Sequence, residues 1–216
     1  MQACQGIGED DNMGAERRNR RPLQSRKTAW AGLLARWLIQ LRVRPNQISL
    51  ASVAAAAGAG YCLLRAWYLA AALLILLRLL SNLMDGMVAI EGGLGSASGE
   101  IYNDLPDRVS DALILCAAGY SLRWPAFAPE LGWSAALLAV MTAYVRILGG
   151  ACGLPQDFRG PMAKPQRMAV IIVASILAPL EPRVLALALV VVIAGSLVTA
   201  AVRLRRIVRQ LEGRAS

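Results

Sequence analysis

Long apolar runs alternate along this chain with short polar breaks that carry most of its charge. Residues 45–64 hold no charge at all, about the length needed to cross the hydrocarbon core of a bilayer. A second run, 67–90, is interrupted only by Arg78 and Asp85. A third begins near Glu100 and ends at Leu122, with its polar residues confined to the first half. Residues 131–150, the short stretch 166–180 and the uncharged stretch 184–202 complete the series. The breaks are a turn at Arg65–Trp67, a glycine-rich loop at 91–99, a polar loop with three prolines at 151–165 and a tight reversal at 179–183. The pattern predicts six membrane-spanning helices.

Ahead of them, residues 28–41 follow a helical period. Trp30, Leu33, Leu34, Trp37, Leu38 and Leu41 fall on one side, Arg36 and Gln40 elsewhere, and Arg26, Lys27, Arg42 and Arg44 flank the segment. That is the pattern of an amphipathic helix lying in the membrane interface. Residues 1–22 are polar, charged and aperiodic, so they read as disordered and do not resemble a signal peptide. The expected organisation is a cytoplasmic tail, 1–24, and a single all-α polytopic domain, 25–216.

Composition supports lipid as the solvent. Apolar residues make up 56 % of the chain, or roughly 62 % once glycine is counted and tyrosine left out, against about 45–50 % in soluble domains. The net charge is +9, and there is no histidine to serve as base or ligand. The basic residues sit at the edges of apolar runs, which suits anionic headgroups rather than nucleic acid. Nine of them precede Asn46 and five lie at the C-terminus, whereas only Arg65, Arg123 and Arg183 fall on the opposite side. The positive-inside rule then puts both termini and the loops 91–99 and 151–165 in the cytoplasm, with a bacterial inner membrane as the expected location. The scattered cysteines show no CxxC spacing, and Cys62 and Cys116 read as small apolar fillers.

Ionisable groups inside membrane helices are costly and point to function. On the second span Arg78, Asn82, Asp85 and Ala89 recur at helical steps, and on the third so do Glu100, Asn103, Asp104, Asp107 and Asp111. The short connection makes these two helices antiparallel neighbours whose polar faces meet near the cytoplasmic boundary. So many oxygens on one face repel one another unless a cation compensates, and Mg2+ or Mn2+ suits carboxylate and amide oxygens. Carboxylates favoured by a helix N-terminus account for Glu100 and Asp104 but poorly for Asp107 and Asp111, which lie two and three turns in. Gly86 and the glycines at 92, 93, 95 and 99 allow backbone to come close to a bound group, and beside such a cluster they point to a phosphate-bearing ligand.

The run from Asn82 through Asp85, Gly86, Ala89 and Ile90, then eight residues, then Gly99, Asn103 and Asp107 resembles the CDP-alcohol phosphotransferase signature D-x-x-D-G-x-x-A-R-x8-G-x-x-x-D-x-x-x-D. Every spacing matches. Asn82 and Asn103 stand at the first and third Asp, and Ile90 at the Arg. The likeness extends to the interfacial helix, to the stretch Pro45–Ser49 and to the basic segment at 160–167. It implies a six-helix membrane fold, a homodimer and a cytoplasm-facing site in which two divalent ions hold the diphosphate of a CDP-linked donor. An alcohol attacks the phosphorus and CMP leaves. By the same resemblance Asp85 is a metal ligand, and Asp107 is both ligand and base.

Amide oxygens of Asn82 and Asn103 still coordinate a cation, but each lacks a charge. Either Asp104, Glu100 and Asp111 restore it, or one ion alone binds tightly. Arg78 or Arg108 can stand in for the missing Arg as the donor's cationic contact. A second cluster, Tyr144, Arg146, Asp157, Arg159, Lys164 and Arg167, lies where the family holds the acceptor's phosphate, with Arg146, Lys164 and Arg167 the expected contacts. CDP-diacylglycerol is the expected donor, because such a site admits a lipid sideways between helices. Two other readings stand beside this one. A cation transporter requires polar residues towards the outer face, where the spans are largely apolar. A catalytically inactive relative is the alternative that Asn82 and Asn103 raise.

Overall fold

The computed structural model describes residues 29–40, 45–92 and 99–215. The expected tail, the basic flanks at 26–27 and 42–44 and most of the 91–99 loop lie outside the described residues. Seven helices follow in order among those described: α1 (Ala29–Gln40), α2 (Pro45–Leu64), α3 (Tyr68–Glu91), α4 (Gly99–Tyr120), α5 (Ala128–Ala151), α6 (Lys164–Leu177) and α7 (Arg183–Ala215). The all-α expectation is borne out: one amphipathic helix precedes six longer ones.

Four of the helices are long and apolar enough to cross a membrane, over Gln47–Leu64, Tyr68–Val88, Ala128–Ala151 and Arg183–Arg214. The two that fall short have evident reasons. The first half of α4 carries Asp104, Asp107, Arg108 and Asp111. Helix α6 has 14 residues, about 21 Å at 1.5 Å per residue. Both pack on their neighbours along one side and leave apolar residues exposed along the other, Leu105 and Val109 on α4 and Val173 and Ile176 on α6. Helix α2 packs on α3 and α4, α4 on α5, α7 on α5 and α6, and α6 on α3, while α1 lies across α3. On its outer side α1 leaves Leu33, Leu34 and Trp37 exposed, as a helix at the interface does.

Sequence dictates the tight places. Helix α2 is rich in Ala and Gly, so its neighbours approach closely. It ends in a Schellman turn: Trp67 N–H donates to Cys62 O at 2.8 Å and Ala66 N–H to Leu63 O at 2.9 Å, with Ala66 at φ 57°. Exposed aromatic residues gather where α2 meets α3 and where α4 meets α5, namely Tyr61, Trp67, Tyr120, Trp124, Phe127 and Trp133. They form an aromatic belt at one end of the bundle. Arginines crowd the other end, and α7 continues there as one helix through the basic stretch past residue 202.

One expectation needs correction. Helices α3 and α4 are consecutive, yet they are not among the closely packed pairs of the described residues. Their facing sides are held apart by long polar side chains, which bridge the interval.

Candidate active site

The bridge begins on α3. Arg78, Asn82 and Asp85 project from one face at steps of four and three, and the first and last are buried. Opposite them on α4 stand Asp107 and Asp111, again one turn apart. Asn82 donates from Nδ2 to Asp107 Oδ1 at 2.7 Å, and its Oδ1 accepts from Ser52 Oγ at 2.8 Å. Its amide is thus placed as a link between α2 and Asp107. Asp85 Oδ2 accepts from Ser49 Oγ at 3.0 Å. No side chain among the described residues donates to Asp85 Oδ1, which is buried. Ser49 and Ser52 escaped the sequence reading, although their spacing of three on α2 and the Pro45–Ser49 likeness marked the segment.

Asp107 is the best-held carboxylate that still reaches solvent. Its side chain is 13 % exposed and pairs with Lys164 from the start of α6. Arg78 Nη2 lies 3.5 Å from its Oδ1 and donates to its backbone carbonyl at 3.2 Å. Deeper in, Asp111 has an arginine on each oxygen: Arg78 Nη2 at 2.7 Å and Arg167 Nη2 at 2.9 Å. Arg167 also donates to Thr142 Oγ1 at 3.1 Å and to Met162 O at 3.2 Å.

Nearer the loop, Asp104 takes Arg146 Nη2 at 2.7 Å and Arg108 Nη2 at 2.9 Å. Arg146 is steadied by Gln156 Oε1 at 2.7 Å and by the Phe158 ring beneath its guanidinium at 5.2 Å. Beyond Gln156 opens a cavity of about 410 Å³ lined by Pro155, Asp157, Arg159, Arg206, Arg209 and Gln210. Buried Arg203 fastens its floor, donating to Arg159 O and to Thr142 O at 2.8 Å each. The α7 contribution was not foreseen. Its signal was the repeat of Ser196, Thr199 and Arg203 at helical steps on a buried face.

Several expectations therefore change. The acidic face does not await an external cation for its charge: Lys164, Arg78, Arg167, Arg146 and Arg108 all sit on it. Asp111 was expected to help bind metal, but both its oxygens are taken and it is buried. Arg78, expected at the donor, and Arg167, expected at the acceptor, are both buried and both hold Asp111. Gly86 is buried within α3 next to Asp85. The side chains expected at Ala89, Ile90, Glu100 and Asn103, and the Cα side of Gly99, lie outside the described residues.

Residues 42–202 match the protein family described as CDP-alcohol phosphatidyltransferase. The chain belongs to that family. It is 30 % identical over 177 residues to phosphatidylinositol phosphate synthase of Corynebacterium glutamicum, covering 79 % of this chain and 80 % of that one. Its fold is similar to crystal structures of the Mycobacterium tuberculosis phosphatidylinositol phosphate synthase. With the form that has CDP-DAG bound, the TM-score is 0.72 at 20 % identity, over 82 % of this chain and 92 % of the other. With the complex with manganese and citrate, the TM-score is 0.73 at 20 % identity, over 82 % and 88 %. As a CDP-alcohol phosphatidyltransferase, this membrane protein moves a phosphatidyl or related group from a CDP-linked donor to an alcohol in phospholipid synthesis.

The metal that such a reaction uses has a partial fit. Among the described residues no three acidic side chains converge on one point. Asp85 and Asp107 lie within electrostatic reach of each other. Between them they offer one buried oxygen without a side-chain donor and one half-sheltered carboxylate, the hard donors that a divalent ion prefers.

Proposed function

We propose that the chain transfers a phosphatidyl group from CDP-diacylglycerol to a phosphate-bearing polyol, releasing CMP at the cytoplasmic face of a bacterial inner membrane. The observation that carries this reading is Asp107: a carboxylate held by Lys164, Asn82 and Arg78, yet open to solvent, beside Asp85 on the family motif. Asp85 and Asp107 would hold a divalent ion, Mg2+ or Mn2+, which would supply positive charge against the donor's diphosphate and the leaving CMP. Asp107 takes the proton from the acceptor hydroxyl. That oxygen bonds to the phosphorus bearing diacylglycerol, and the bond from phosphorus to the CMP oxygen breaks, its electron pair leaving with CMP. Positioning supplies much of the rate, since a carboxylate is a modest base.

The acceptor assignment rests on charge. Arg159, Arg206 and Arg209 face a cavity whose acid, Asp157, is paired with Arg206 at 3.4 Å. Two guanidiniums there remain to meet a phosphate. Gln156 and Arg146 connect that cavity to Asp104, one turn before Asp107. The similarity to a phosphatidylinositol phosphate synthase supports an inositol phosphate as the first acceptor to try. The arginine-rich end of the bundle faces the cytoplasm in this reading, the aromatic belt faces outward, and the working unit is a homodimer.

The test is CMP release from CDP-diacylglycerol with Mn2+ or Mg2+ and a panel of alcohols, inositol phosphate and glycerol phosphate among them. Release that depends on a phosphorylated acceptor is the expected result. No release with any donor or acceptor would favour the inactive relative, which Asn82 and Asn103 keep in view.

A further inference from the structure

One polar side chain stands among the buried residues of α5, Thr142, on a face otherwise made of Ala, Gly and Val. Its hydroxyl donates back along the helix to Ala139 O at 2.8 Å, which by itself satisfies a buried threonine. The residue makes two further contacts. Its Oγ1 accepts from Arg167 Nη1 at 3.1 Å, and its backbone carbonyl accepts from Arg203 Nη1 at 2.8 Å. Thr142 is thus the point on α5 where an arginine from α6 and an arginine from α7 converge.

The two contacts lead to different parts of the molecule. From the carbonyl, Arg203 continues to Arg159 O, and Arg159 lines the arginine-rich cavity. From the hydroxyl, Arg167 continues to Asp111 Oδ2 at 2.9 Å, and Asp111 Oδ1 takes Arg78 at 2.7 Å. Arg78 then donates to the backbone carbonyl of Asp107 at 3.2 Å and lies 3.5 Å from its Oδ1. Arg167, Asp111 and Arg78 are all buried. With no bulk water to replace a lost contact, members of such a network depend on one another. Arg167 has little to spare: its Nε meets no acceptor among the described residues, and its Nη1 is shared between Thr142 Oγ1 and Met162 O.

We propose that Thr142 is a positioning residue: its hydroxyl fixes the guanidinium of Arg167 and, through Asp111 and Arg78, the place of Asp107, while its carbonyl fixes the wall of the cavity. The inference rests on the transferase reading, in which Asp107 takes the acceptor's proton and the cavity holds the acceptor's phosphate. It explains how those two ends of the acceptor are kept in register from one residue on a third helix. The two contacts leave from different atoms, so they are separable. A substitution at 142 removes the hydroxyl and keeps the carbonyl, and it should therefore disturb the base and spare the acceptor cavity.

Thr142→Val keeps the shape of the side chain and loses the hydroxyl. CMP release by the full-length protein in nanodiscs is measured with CDP-diacylglycerol and inositol phosphate varied in turn. The expected result is a kcat about tenfold lower, short of the roughly 100-fold that a 1 Å misplacement costs, with both KM values unchanged. Thr142→Ser restores the hydroxyl and should return kcat close to that of the wild type. If Thr142→Val does not fold, Thr142→Ser and Thr142→Ala make the comparison: both lack the methyl group, they differ in the hydroxyl, and the alanine variant should be the slower by a similar factor. Equal kcat with and without the hydroxyl would overturn the proposal. So would a rise in KM for inositol phosphate as large as the fall in kcat, because the hydroxyl would then serve the cavity and not the base. No CMP release from the wild type with any donor or acceptor would defeat the transferase reading, and the proposal with it.

Discussion

Arg78 and Asp111 meet at 2.7 Å across the interval between α3 and α4, and neither side chain reaches solvent. Arg167 closes the group from α6 at 2.9 Å. Three helices are thus tied at one point by charge, in a place where α3 and α4 do not pack directly. Removing one member of a buried ion pair leaves the others uncompensated, at about 3–5 kcal/mol. Asp111→Ala should therefore lower the thermal unfolding midpoint of the purified protein sharply and reduce its yield in the membrane. If Asp111 were chiefly a metal ligand, the same variant would keep its midpoint in metal-free buffer and lose only the stabilisation that added Mn2+ provides.

Asp107 should behave in the opposite way. It is partly exposed, and its contacts with Asn82 and Arg78 can be kept by an amide oxygen. Asp107→Asn should cost little in unfolding midpoint while lowering kcat for CMP release by roughly 10²–10⁴, the usual contribution of a positioned base. Comparable loss of midpoint and of rate would show that it acts mainly as a structural pin.

These contrasting roles mark what the sequence could disclose. The spans were legible because uncharged runs about as long as a bilayer is thick have few other uses. The polar faces of α3 and α4 were legible because Arg78, Asn82 and Asp85, then Asp104, Asp107 and Asp111, keep helical spacing. Which acids are paired was not legible. Arg167 lies 56 residues from Asp111, and Arg146 lies 42 from Asp104. No periodicity links residues on different helices, so partners that only packing brings together stay hidden. The same holds for Ser49, Ser52 and Arg203.

The cavity under α7 makes a prediction about specificity. Arg209 lines it without touching the acids of the motif. Arg209→Ala should raise KM for a phosphorylated acceptor about tenfold or more, since a charge-assisted hydrogen bond contributes roughly 1.5–3 kcal/mol. It should leave kcat, and KM for CDP-diacylglycerol, near their starting values. Steady-state kinetics with inositol phosphate varied against fixed donor checks this. An equal rise in KM for both substrates would move the acceptor phosphate elsewhere.

The last prediction concerns the frame that holds α4 in place. Gly119 near the end of α4 and Gly132 on α5 face each other at the crossing. A methyl group on Gly132 would come within 2.8 Å of Leu115 O and 3.2 Å of Cys116 Cα, and one on Gly119 within 2.5 Å of Ala128 O. The opposing atoms are backbone, so no rotamer change relieves the contact, and the helices must part. In lipid, close approach of small residues is a main source of helix association. Parting α4 from α5 also shifts Asp104 relative to Arg146 and Asp107 relative to Lys164, because α4 is the shared element. Gly132→Ala should therefore lower both the unfolding midpoint and the rate of CMP release, although it lies on α5 and meets α4 at Leu115 and Cys116, about two turns beyond Asp107. Gly213→Ala on α7, where an added methyl group meets nothing within 4 Å, serves as the control and should leave both unchanged. A Gly132→Ala protein with unaltered midpoint and rate would mean that the α4–α5 contact does not set the geometry of the site.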